Sequence, residues 1–136
     1  MSFFMEIELD PIPWARASSI ASTCTLDGLS VHTPRKPLLR SRGVRRLFIF
    51  DVLDGESVLD DDADWGAPTW SMRPEGRSAL EATLTCLSQQ IPEGFAFRAA
   101  WVGDKIHREV EVSRGALTEL VRASRLNGGT LYRVKP

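Results

Sequence analysis

From Met5 to Asp10 the chain alternates apolar and polar side chains: Met5, Ile7 and Leu9 are interleaved with Glu6, Glu8 and Asp10. This is the period-two pattern of a strand with one buried face. Pro11 and Pro13 end the run, because neither can donate to a sheet ladder. Two short runs then flank Asp27-Gly28, a dipeptide suited to a two-residue hairpin turn. That turn would set Leu26 opposite Leu29, Cys24 opposite Val31, and Thr23 opposite His32 on the polar face. The segment Leu47-Phe-Ile-Phe-Asp-Val-Leu53 is apolar on both faces, so it is expected in the middle of the sheet, closed by a turn at Asp54-Gly55.

From Pro74 the period becomes helical. Pro74 suits a first helical turn, Glu75 complements the dipole there, and Leu80, Leu84, Leu87 and Ile91 recur on one face, with Cys86 on the same stripe, until Pro92-Glu-Gly94. Between Phe95 and Val112 a turn at Gly103-Asp104 predicts a hairpin pairing Trp101 with Ile106, Phe97 with Val110 and Phe95 with Val112. On its other face Arg98 would sit opposite Glu109, and His107 opposite Ala100. Ser113 is an N-cap candidate for a second helix carrying Leu117, Leu120, Val121 and Ser124, stopped by Asn127-Gly128-Gly129. A last strand over 130–135 puts Tyr132 and Val134 on one face. The expected fold is a single α+β domain over residues 1–136, with a mostly antiparallel sheet and two helices packed on one face.

A chain of 136 residues with 43% hydrophobic residues can bury a core without disulfides or metal. Its 17 basic and 18 acidic residues leave a net charge of -1, so the global signature of a nucleic-acid binder is missing. The start, Met1-Ser-Phe-Phe-Met-Glu, has neither the basic beginning nor the cleavage site of a signal peptide. No run approaches the roughly 18 apolar residues of a membrane span. A cytoplasmic location is therefore expected, with Cys24 and Cys86 as buried free thiols; a disulfide would fit only an exported protein.

Charge is segregated locally. Arg35, Lys36, Arg40, Arg42, Arg45 and Arg46 fall in a stretch without acids, and Asp51, Asp54, Glu56, Asp60, Asp61, Asp62 and Asp64 follow in one without bases. The two runs are expected to neutralise one another or to form solvated faces. Nucleic acid is disfavoured, because the acidic run repels phosphate and the basic run lacks interleaved aromatics. Asp60-Asp-Asp-Ala-Asp64 begins like a calcium loop, but Trp65 stands where the sharp turn needs glycine and Ser71 where a bidentate glutamate belongs. His32 and His107 lack metal-ligand spacing, and neither cysteine suits a Cys-His nucleophile pair. No phosphate-loop, dinucleotide, nucleophile-elbow or zinc-protease motif occurs. No cofactor or metal is expected. Trp65 and Trp70 bracket a turn-rich loop beside the acids. They read either as contact residues for a partner or as plugs folded over the sheet, the second favoured if Arg73 and Arg77 clamp the acidic loop.

The stretch Phe95-Ala-Phe-Arg-Ala-Ala-Trp-Val-Gly-Asp104 through Val110-Glu-Val-Ser113, then Leu117-Thr-Glu-Leu-Val121 and Tyr132-Arg-Val134, resembles small uncharacterised bacterial α+β proteins of the immunity type. Such proteins bind and neutralise a cognate toxin. The resemblance implies a class, a non-enzymatic intracellular binder, and transfers no functional residue. The expected function is thus protein binding, of the immunity or inhibitor kind, through Asp60, Asp61, Asp62, Asp64, Trp65 and Trp70 to a basic partner. Two alternatives stand beside it: a self-associating structural subunit, and a divalent-metal enzyme using the acidic loop with His32 or Arg73.

Overall fold

Strand β1, Phe3–Leu9, lies inside a six-stranded sheet, as its alternation predicts, and sends Met5, Ile7 and Leu9 into the core. The computed structural model describes residues 3–26, 28–34, 44–51, 58–59, 69–101 and 105–136, without the side chains at 3, 51 and 101. The turns expected at Asp54-Gly55 and Gly103-Asp104 lie outside these residues. In chain order the remaining elements are α1 (Trp14–Thr23), β2 (Leu29–His32), β3 (Arg45–Asp51), α2 (Pro74–Gln90), β4 (Phe95–Trp101), β5 (Arg108–Val112), α3 (Arg114–Arg122) and β6 (Thr130–Val134). The sheet order is β2-β3-β1-β4-β6-β5, antiparallel except for the parallel pair β5 and β6. The fold is α+β.

Helix α1 was not expected. Its serines and threonines are weak helix formers, but Ala17, Ile20 and Ala21 recur at helical spacing, and all three are buried. Burial of that stripe against the sheet outweighs the poor propensity. In consequence Cys24 caps α1 and does not pair with Val31 on a strand, and Thr23 is helical. The turn itself survives as a single bridge between Leu26 and Leu29, with Gly28 at φ 99.

Helix α2 follows its pattern closely. Pro74 opens it, Glu75 sits in the first turn, and Leu80, Leu84, Leu87 and the capping Ile91 are buried. Ser113 Oγ accepts from the Ala116 N–H at 3.1 Å to start α3. This helix stops earlier than expected, at the Ala123 cap, and Ser124 turns the chain at φ 53.

The expected β4–β5 hairpin does not form: β6 lies between the two strands. Phe97 and Val110 both face Tyr132, and Phe95 and Val112 both face Val134, so the predicted pairs share a face without being neighbours. Arg98 pairs with Glu6 on β1, and Glu109 with Arg133 on β6, in place of the expected Arg98–Glu109 contact. His107 donates its N–H to Gly129 O at 2.8 Å and is not opposite Ala100. The physical cause is the crossover: parallel strands need a helical connection, and α3 between β5 and β6 supplies it.

The buried faces of all three helices join Met5, Ile7, Leu47, Ile49, Phe97 and Tyr132 in one apolar cluster. The opposite face of the sheet carries Phe4, Glu6, Phe48, Phe50 and Arg98, none of them in that cluster. β3 is therefore interior by pairing, the helices among the described residues cover it on one side, and Phe50 is 51% exposed.

Gly76 shows how closely α2 meets the chain beneath it. A Cβ there would come within 2.7 Å of Val58 Cα and 2.8 Å of Val58 O. Alanine ordinarily stabilises a helix over glycine by about 1 kcal/mol. Here the clash with backbone dominates, and Gly76→Ala is expected to cost about 2 kcal/mol in urea denaturation; a gain in stability would contradict this packing.

Candidate functional site

The register brings three rows of side chains across the helix-free face. His32, Phe48, Glu6 and Arg98 are successive neighbours in one row. Arg46, Glu8, Ala96, Arg133 and Glu111 form a second. Ser30 and Phe50 are opposed in the third, as are Phe4 and Ala100. One end of the face is aromatic and the other is charged.

At the centre Glu6 is only 1% exposed although its strand position belongs to the polar face. Arg98 Nε donates to Glu6 Oε1 at 2.9 Å, and Arg46 Nη1 lies 3.8 Å from Oε2. Arg46 also reaches Glu8, at 3.4 Å. Burial pushes the Glu6 carboxyl above its ordinary value of 4.5, and the charges of Arg98 and Arg46 oppose that shift without cancelling it. The Arg98 guanidinium also lies 5.0 Å from the centre of the Phe4 ring, so one side chain orders both the carboxylate and the aromatic. Phe48 and His32 flank Phe50, with ring centres 6.5 and 6.3 Å away.

The charged end leads into a cavity of about 300 Å³ bordered by Glu8, Glu93, Gly94, Glu111, Arg133 and Lys135. Four ion pairs border it: Glu8 with Arg46, Glu93 with Arg16, Glu111 with Lys135, and Arg133 with Glu109. Hydrogen bonding, first to its own backbone, holds Glu93 below the usual carboxylate range. Glu6, the carboxyl that is raised, does not line the cavity.

Both sheet edges are guarded. Thr25 Oγ1 accepts from the outward Val31 N–H at 3.0 Å and donates to Ala21 O at 2.9 Å, which occupies the β2 edge. Arg108, Glu109 and Glu111 place charges along β5. Added-strand pairing is disfavoured at either edge.

Of the residues expected to bind a partner, Asp60, Asp61, Asp62, Asp64 and Trp65 lie outside the described residues. Trp70 is described and is 8% exposed. Its backbone N–H donates to Leu126 O at 2.8 Å, and its ring lies so close to Gly128 that a Cβ there would meet Cζ2 at 2.9 Å. Trp70 is therefore a plug under the α3–β6 connection and not an interface side chain. Arg73 Nε donates to Leu59 O at 3.1 Å, on the residue just before Asp60, whereas Arg77 reaches Arg122 O near the end of α3. Of the basic run, Arg35, Lys36, Arg40 and Arg42 lie outside the described residues; Arg46 turns to Glu6 and Glu8, and Arg45 donates to Ile12 O at 3.1 Å.

Sequence reasoning missed Glu6, Arg98 and the aromatic end. The one available signal was the doubly apolar run at Phe48 and Phe50, which marks an interior strand whose outward face leaves Phe48 half-buried and Phe50 exposed. Among the described residues no three His, Cys, Asp or Glu side chains assemble as metal ligands. No helix among them is long and apolar enough to cross a membrane. Comparison with family models, with curated proteins and with solved structures gives no match for this chain.

The Glu6 cluster has a pH signature. A carboxyl whose folded pKa is raised binds its proton more tightly in the fold, so its linkage favours folding below 4.5 and that contribution is lost as pH rises through the folded value. The stability of the parent relative to Glu6→Gln should therefore fall from acid toward neutral pH. Arg98→Met, which removes the nearest opposing charge, should steepen the fall and cost about 3 kcal/mol at neutrality. Denaturant titrations across pH check both, and a pH-independent difference would contradict them.

Proposed function

We propose that this protein is a non-enzymatic binding module of the immunity or inhibitor kind, which docks a basic partner protein on the aromatic end of its helix-free sheet face. The observation that carries this reading is Phe50, 51% exposed between Phe48 and His32. Aromatic side chains are enriched at protein interfaces relative to the rest of the surface. Phe48 and Phe50 stand on a strand paired on both sides. Little freedom remains for them to lose on binding, which favours affinity.

The sequence supplies the charge of the partner. β3 ends at Asp51, immediately after Phe50, and the chain continues through Asp54, Glu56, Asp60, Asp61, Asp62 and Asp64 without a basic residue. In sequence, then, an acidic run begins directly after Phe50. Arg45 and Arg46, the cations nearest in sequence before it, are committed to Ile12, Glu6 and Glu8. A partner with a basic rim around an apolar knob fits both features, and the acids would speed its encounter at low salt. In this reading Asp60, Asp61, Asp62 and Asp64, with Trp65 beside them in sequence, act by charge on the approach of the partner.

The test is retrieval of a partner by the tagged chain from its native host, followed by affinity measurement on the purified pair. The parent and Trp14→Ser, which alters an exposed tryptophan on α1, should hold one stoichiometric basic protein. Phe50→Ser should weaken it about 30-fold, and reversal of Asp60, Asp61, Asp62 and Asp64 to lysine should slow association. Equal affinity for Phe50→Ser contradicts the assignment. A homodimer that Phe50→Ser dissociates would assign the face to self-association.

A further inference from the structure

Away from the sheet face, the end of α1 meets the outer side of α2 through two sulfurs. Cys24, the cap of α1, is fully buried, and its S–H points to Cys86 Sγ at 2.9 Å. Cys86 is partly exposed, lies 3.7 Å from Thr23 O, and borders a shallow depression of about 550 Å³ with Leu26, Glu81 and Thr85. The two residues are 62 positions apart in sequence, so only the packing of α1 on α2 brings them together. Both are free thiols.

We propose that Cys24 and Cys86 form a peroxide-sensitive dithiol, which closes to a disulfide and locks α1 onto α2. Closing the gap by about 0.9 Å brings the sulfurs to the bond length of about 2.0 Å. The roles divide by access. Burial, and then the contact with Cys86, push the Cys24 thiol up, so it stays protonated and protected. Cys86 borders the depression and meets the oxidant.

In the first step the Cys86 sulfur, having given up its proton, attacks the terminal oxygen of a hydroperoxide. An S–O bond forms, the O–O bond breaks, and the departing oxygen takes a proton to leave as an alcohol or water. In the second step the Cys24 sulfur attacks Cys86 Sγ, the S–O bond breaks, and hydroxide leaves as water with the Cys24 proton. Two thiols lose two electrons in total and the peroxide gains them. The bond then closes a long loop and restricts the unfolded chain. In a reducing compartment such a pair is open at rest and closes only under oxidation.

The reduced chain, freed of reductant, is treated with hydrogen peroxide and followed by thiol titration, intact mass and thermal unfolding. Both thiols should disappear together, the mass should fall by two hydrogens, and the chain should stay a monomer on a non-reducing gel. The unfolding midpoint should rise by on the order of 10 °C and return with dithiothreitol. Cys24→Ala should stop at a sulfenic acid on Cys86 that dimedone traps, whereas Cys86→Ala should leave Cys24 unreacted. Retention of both thiols, uptake of oxygen without loss of hydrogens, cross-linking between chains or an unchanged midpoint would overturn the proposal.

Discussion

A glutamate that is 1% exposed cannot remain charged in the middle of a sheet unless cations reach it, and the position of Glu6 constrains everything around it. β1 lies between β3 and β4, and Glu6 faces Phe48 on one and Arg98 on the other. A slip of one residue between β1 and β4 would move Arg98 into the apolar cluster and Phe97 out of it. The ion pair and the apolar face therefore specify the same register. Arg98 then extends the constraint to Phe4, and Arg46 extends it to Glu8 and β3.

The consequence for function is a rigid face whose two ends differ. Its charged end is laced by ion pairs, among them Glu8 with Arg46 and Arg133 with Glu109. Its aromatic end keeps Phe50 half in water, on a strand that cannot relax to hide it. Thr25 on one edge and the charges of β5 on the other disfavour strand addition.

Much of this was legible in the chain. The alternation around Ile7, the stripe from Leu80 to Leu87 and the Ser113 cap all appear where local patterns placed them. The strand order was not legible, because Phe95, Phe97, Val110 and Val112 share a face whether their strands touch or are separated by β6. Charge gave no better discrimination: Arg98 and Glu109 each had an equivalent partner on another strand, in Glu6 and Arg133. α1 was hidden by its serines, since tertiary burial of Ala17, Ile20 and Ala21 is invisible to propensity. The site was hidden for a related reason: an apolar residue in a strand reads as core until the sheet is known to lack helices on one side. The nearness of Cys24 and Cys86 depends on α1 as well, and so could not be read earlier.

The most direct measurement is a double-mutant cycle between Glu6 and Arg98, using Glu6→Gln, Arg98→Met and the pair, with unfolding free energies at neutral pH. If this interaction pins the sheet, the two changes are strongly non-additive, with a coupling of about 2 kcal/mol, because each single variant strands the other group. Additivity to within about 0.5 kcal/mol would contradict the account, since Glu6 would then be held by something other than Arg98.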